Sequence, residues 1–145
     1  QAGFTFQKSL YKQAQTWSEN TNLAPNRQMF RSPNNYGYLT LTFQPSKPLT
    51  LALNGTYSGS MLMQHYAEQM EGDEEVWTPA FFDLNAKITY SFTLSAATKL
   101  QLNAGIQNIF NSYQTDFDKG ETRDAGYIYG PSLPRSVYMG VKFSL

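Results

Sequence analysis

The stretch Phe82-Asp83-Leu84-Asn85-Ala86-Lys87-Ile88-Thr89-Tyr90-Ser91-Phe92 decides the fold. Apolar side chains occupy every second position, and Asp, Asn, Lys, Thr and Ser fill the places between them. Successive side chains of a β-strand point to opposite faces, so this period of two predicts a strand with one apolar and one polar face. The strand is also about twice the length common in globular sheets.

The same pattern recurs on both sides of it. Residues 49–63 set Leu49, Leu51, Leu53, Gly55, Tyr57, Gly59, Met61 and Met63 against Thr50, Ala52, Asn54, Thr56, Ser58 and Ser60. Leu100, Leu102, Ala104 and Ile106 alternate with Lys99, Gln101, Asn103 and Gln107, and Leu39, Leu41 and Phe43 with Thr40, Thr42 and Gln44. Residues 3–14 alternate more weakly through Phe4, Phe6 and Leu10. The final strand, 137–145, carries Val137, Met139, Val141, Phe143 and Leu145 on one face. Six strands are expected.

Their connections alternate in length. Pro45-Ser46-Lys47-Pro48 and residues 93–98 are short enough for tight turns, whereas residues 15–35, 64–80 and 114–134 form long loops. All the long loops should therefore emerge at one end of the sheet. Outer-membrane barrels have this asymmetry, with short periplasmic turns and long extracellular loops.

Composition narrows the choice. Mean hydropathy is −0.47 despite 41% hydrophobic residues, because Ser, Thr, Asn and Gln dilute the apolar positions. No apolar run approaches the ~20 residues of a membrane-spanning helix, but a barrel hides its apolarity in alternation. Eleven basic and 11 acidic residues give zero net charge with no Lys/Arg cluster, which argues against nucleic acid as a partner. The absence of Cys excludes disulfides and zinc–thiolate sites. Residues 1–6 lack the regions of an export signal, so any such signal is expected to have been removed or to lie upstream.

A soluble β-sandwich would also alternate. Against it stand Tyr57, Tyr90 and Phe92 near strand ends, as in aromatic girdles, and a second face rich in Asn, Gln, Thr and Ser, which suits a wet lumen. Apart from Glu19 and Asp83, every carboxylate lies in the two later long loops. The expected fold is an all-β, transmembrane antiparallel barrel. Six strands are fewer than the ~8 of the smallest bacterial barrels, and an open edge in hydrocarbon would leave backbone groups unsatisfied. The chain is thus expected to be a segment whose other strands lie upstream or on another polypeptide.

Gly105-Ile106-Gln107-Asn108-Ile109-Phe110, then a polar loop, then Tyr129-Gly130-Pro131-Ser132-Leu133-Pro134-Arg135 before the last strand, resembles the end of a TonB-dependent outer-membrane receptor. The shared features are the Asn108-Ile109-Phe110 element on the penultimate strand and the Pro134-Arg135 pair opening the last one. Arg31-Ser32-Pro33 and Thr78-Pro79-Ala80-Phe81-Phe82-Asp83 also resemble strand-opening segments of that family.

The resemblance implies that residues 1–145 are the C-terminal part, the last six strands, of a roughly 22-stranded plugged barrel. It implies TonB-dependent import of a scarce nutrient across the outer membrane of a Gram-negative bacterium, with no enzymatic step. A compact chelate (siderophore, haem or cobalamin) leads, and glycan import is the alternative within the family. The partners would be the upstream strands and plug, TonB–ExbB–ExbD acting through that plug, outer-membrane lipids, and in some relatives a surface lipoprotein. Val137, Met139, Val141, Phe143 and Leu145 resemble the family's barrel-assembly signal, although here the chain ends in Leu145 rather than an aromatic residue. An outer-membrane barrel enzyme and a soluble β-sandwich binding module are the readings from other classes.

Candidate site residues follow from the loops. Trp17, Arg27, Tyr66, Trp77, Tyr113, Arg123, Tyr127 and Tyr129 offer stiff contact area and planar hydrogen bonding for a substrate. Against that, residues 127–135 can simply pack the loop base onto the rim. The run Glu71-Gly72-Asp73-Glu74-Glu75, and separately Asp116, Asp118 and Asp124, offer oxygen ligands for Ca²⁺, with solvated loop as the plainer alternative. Asp116 and Asp118 would share a face if extended, as paired carboxylates for acid/base catalysis do. His65 is the only histidine, which leaves no His-based triad partnered by a marked Ser. With Met61 and Met63 it invites soft-metal binding, but the two methionines share the apolar register and read as membrane-facing bulk.

Overall fold

A computed structural model describes residues 1–67 and 72–144. Leu145, the last residue of the expected assembly signal, and Glu71 of the acidic run lie outside the described residues. Ten strands appear among the described residues: β1 (Ala2–Phe6), β2 (Leu10–Gln15), β3 (Asn26–Gln28), β4 (Asn35–Ser46), β5 (Leu49–Ser58), β6 (Leu62–His65), β7 (Glu74–Trp77), β8 (Phe81–Thr93), β9 (Lys99–Gln107) and β10 (Ser136–Ser144). The fold is all-β.

Six strands form one antiparallel sheet in the order β1-β4-β5-β8-β9-β10. Each neighbour in space is the next long strand in sequence, so the sheet is a plain up-and-down meander. Short turns join β4 to β5 and β8 to β9, and the connections 7–34, 59–80 and 108–135 all leave from the opposite end. Among the described residues β1 and β10 pair with no second neighbour, and no closed barrel forms.

Register brings the alternation of separate strands into common rows. One row runs Leu41, Leu53, Ala86, Ile106 and Val137; the next runs Phe43, Leu51, Ile88, Ala104 and Met139. A one-residue slip in any strand would turn its apolar set to the other face. The apolar face carries no charged side chain along these strands and is uncovered: Leu41 is 49% and Met139 86% exposed. Aromatic rings bound it at both ends. Near the loops Phe4 stacks on Tyr57 and Phe82 on Phe110; near the turns Tyr90 lies 4.7 Å from Phe92, whose row ends in Phe143.

The opposite face is polar. Thr42, Ala52, Lys87, Gly105 and Tyr138 form one of its rows. The Tyr138 ring lies flat over Gly105, where a Cβ would stand 2.5 Å from it, and Tyr38 covers Gly3 in the same way. Only glycine admits that approach.

The buried apolar side chains Leu62, Met63, Phe81 and Tyr127 all sit at the loop end. The packed core is therefore a cap built from the long loops, beside a sheet whose apolar face is covered by nothing among the described residues.

Two expectations are corrected. The single strand over 3–14 is broken: Gln7 donates from its backbone N–H to Asn34 O and from Nε2 to Pro33 O, which ends β1, and the chain then leaves as β2 to pair with β3. The strand over 49–63 ends at Ser58. Gly59 N–H donates to Asn35 O, the chain turns, and Met61 N–H bonds Thr78 Oγ1 while Thr78 N–H bonds Met61 O. The alternation runs on through the turn, but Met63 enters the cap at 0% exposure instead of the apolar face.

Candidate functional site

The cap has three layers, and the β6–β7 hairpin is the middle one. Directly opposed residues of an antiparallel pair share a face, so Gln64 and Glu75 point to one side and His65 and Glu74 to the other. On the first side Glu75 accepts Trp17 Nε1–H at 3.0 Å and Asn26 Nδ2–H at 3.1 Å from the first loop. On the other, His65 Nε2 meets Asp118 Oδ2 of the third loop at 2.8 Å, and its ring stacks on Tyr127 at 4.1 Å.

The remaining loop carboxylates act as further pins. Asp73 is buried and accepts Ser18 Oγ–H at 2.6 Å and Ala67 N–H at 2.9 Å. Asp124 accepts the backbone N–H groups of Tyr66 and Gly126. Asp116 accepts the hydroxyls of Tyr129 at 2.5 Å and Tyr127 at 3.2 Å. Gln114, 1% exposed, ties the base of the third loop to itself through Tyr127 O and the Tyr129 N–H.

These contacts set the electrostatics. The hydrogen bond from His65, with a second from Asp124 N–H, holds the Asp118 carboxyl below the usual carboxylate range. Burial, and then the charge of Asp116, push Tyr127 up. Burial followed by the bond to Asp116 pushes Tyr129 well above an ordinary phenol. Both hydroxyls therefore stay protonated and donate.

The expected substrate contacts separate into groups. Trp17 and Tyr66 come together edge to face at 5.2 Å. Trp77 on β7 is 55% exposed, and Tyr113 is half-buried. Arg27 and Arg123 each donate to a carbonyl of their own loop, Tyr11 O and Gly120 O. Tyr127 is only 4% exposed and packs inside the cap, the alternative weighed for residues 127–135.

Asp116 and Asp118 do not act as a pair, since one binds tyrosines and the other His65. Among the described residues no three His, Asp or Glu side chains gather as a metal group. Asp73, Glu74 and Glu75 point apart: Asp73 inward, Glu75 toward Trp17, Glu74 to solvent. Asp116 and Asp118 lie in the other loop.

The polar face bears a second feature at its loop end. Asp83, Asn85, Gln107 and Asn108 line a hollow of about 340 Å³ closed by residues 131–134. Asn108 builds it. At φ 50° its backbone is left-handed, and its side chain donates to Ser112 O and Leu133 O while accepting Ser112 N–H. Asn tolerates that conformation better than most residues, which is the sequence signal for its place. Arg31, whose Nη2 donates to Gly126 O, and Gln114 organise the cap without such a signal, because their partners are backbone atoms distant in sequence.

Compared with protein-family models, with curated proteins and with solved structures, the chain matches none.

Proposed function

We propose that this chain is the C-terminal part of an outer-membrane β-barrel, the last six strands of a plugged, roughly 22-stranded TonB-dependent transporter. The observation that carries the reading is the uncovered apolar face bounded by aromatic rows. From Phe82 to Phe92 the strand rises about ten steps of ~3.4 Å, or ~34 Å. At the ~40° tilt of barrel strands this is ~26 Å of height, against the ~25 Å apolar band of outer-membrane barrels. A soluble sandwich would have to cover that face with a second layer, and among the described residues the buried apolar side chains lie at the loop end instead.

The free edges of β1 and β10 fit the same reading. Unpaired backbone groups are intolerable in hydrocarbon, so further strands of the barrel would pair with them. The glycine-seated tyrosines and the Thr, Asn and Lys rows suit a wet lumen, and the loop cap would stand on the extracellular side. A 22-stranded lumen is wide enough to need a plug, through which TonB–ExbB–ExbD would act.

The function is energised import of a scarce nutrient into a Gram-negative cell, with a compact chelate as the leading cargo. Glycan import is the second reading, favoured by the polar hollow of Asp83, Asn85 and Gln107. Uptake of radiolabelled candidates by cells carrying the full-length protein tests this. Accumulation should vanish when TonB is deleted, and accumulation indifferent to TonB would overturn it.

A further inference from the structure

Among the described residues Asp83 is the one carboxylate on the strands of the six-stranded sheet, and its surroundings do not satisfy it. It lies on the polar face of β8, opposite Thr56 of β5. Its Oδ1 is shut off from solvent and has no hydrogen-bond partner, and no salt bridge reaches it among the described residues. A buried acceptor left without a donor is costly, and more so when it is charged. Oδ2, which is neither shut off nor bonded among the described residues, is the oxygen left for a donor in the hollow.

The other walls of the hollow say what kind of donor. Asn85 and Gln107 use their carbonyl oxygens, accepting Asn108 N–H at 3.0 Å and Ser136 Oγ–H at 3.1 Å. Their amide NH₂ groups are left as donors. A metal ion would meet one carboxylate and two NH₂ groups, a poor ligand set for any hard cation. An ammonium satisfies Asp83 but only donates, so the two amides would face it without an acceptor. A hydroxyl both donates and accepts, and neighbouring hydroxyls can give a proton to Asp83 while taking one from each amide. Pro131, Leu133 and Pro134 supply apolar wall for the carbon side of such a molecule.

We propose that the hollow lined by Asp83, Asn85 and Gln107 is a subsite for a neutral ligand carrying vicinal hydroxyl groups, of the size of a single sugar ring. It rests on the transporter reading only in that the hollow then lies on the extracellular mouth of the lumen, where cargo is first met.

The test uses the full-length protein in lauryldimethylamine oxide, a detergent without sugar, with methyl α-glucopyranoside as probe and 1,5-diaminopentane as comparison. Saturation-transfer NMR should show the glucoside bound. Its dissociation constant should rise about tenfold or more in the near-isosteric Asp83→Asn, the scale of a lost charge-assisted hydrogen bond. Asn85→Ala should weaken it separately, and Lys142→Gln should leave it unchanged. No transfer to the wild type, equal binding by Asp83→Asn and Asn85→Ala, or binding of the diamine in place of the glucoside would overturn the subsite. If the protein proves soluble without detergent but still binds the glucoside through Asp83, the transporter reading falls and the subsite stands.

Discussion

Arg31 of the first long loop donates from Nη2 to the backbone carbonyl of Gly126 in the third at 2.8 Å, across 95 residues of sequence. Its own N–H donates to Leu62 O in the second loop, also at 2.8 Å. One residue thus ties three loops, and it does so with a left-handed backbone, φ 56°, a conformation that costs an L-residue about 1–2 kcal/mol relative to glycine.

Two substitutions separate those terms. Arg31→Ala loses the bond and keeps the strain, whereas Arg31→Gly loses the bond and relieves it. Limited proteolysis of residues 7–34 and 108–135 should accelerate in both, by about fivefold or more in Arg31→Ala, the factor that ~1 kcal/mol gives. Arg31→Gly should be nicked more slowly than Arg31→Ala. Equal rates would show that strain at this position is unimportant.

The His65–Asp118 pair sets an acid limit on the cap. Because the folded state holds the Asp118 carboxyl low, its contribution is fully present above the ordinary aspartate value, ~3.9, and is lost as pH falls through the lowered folded one. His65→Ala should return Asp118 toward the ordinary value and move acid opening of the cap to higher pH. Carboxyl chemical shifts of Asp118 against pH would record both. An unchanged titration in His65→Ala would refute the pairing.

At alkaline pH the sign reverses for Tyr129. A phenol raised in the fold contributes stability that is present below its unfolded value, ~10, and is lost as pH rises through the folded one. Ultraviolet titration should find the Tyr129 phenol ionising after the exposed tyrosines. Asp116→Asn should bring it down, though not to the ordinary value, since burial is the larger cause.

Asn108 closes the strand end, with three side-chain bonds at 4% exposure. Asn108→Ala removes them and puts alanine in a left-handed backbone. A loss of about 2 kcal/mol or more follows, read as a lower midpoint of denaturant unfolding in detergent. An unchanged midpoint would show that residues 131–134 are held without it.

The sheet was legible because its strands are long and their period is uniform: residues 82–92 are matched by β8, and the final alternating run by β10 as far as Ser144. The loop hairpins were not. β2 and β3 carry no apolar alternation, and the alternation of 49–63 runs unbroken across the turn at Gly59, so period alone sends Met63 to the wrong surface. The cap residues were named from their chemistry, but their pairing depends on which loop meets which. His65 with Asp118 and Glu75 with Trp17 are separated by more than 50 residues, and nothing local to either marks the partner.

Spin-label accessibility along Phe82–Phe92 tests the central claim most directly. The chain has no Cys; in the full-length protein, with any Cys outside this chain replaced, single cysteines placed from 82 to 92 can be labelled one at a time in lipid vesicles. Collision with oxygen should peak at Leu84, Ala86, Ile88 and Tyr90, and collision with a water-soluble nickel chelate at Asn85, Lys87, Thr89 and Ser91. Oxygen collision with no period of two, or chelate access equal on both faces, would contradict an apolar face against lipid.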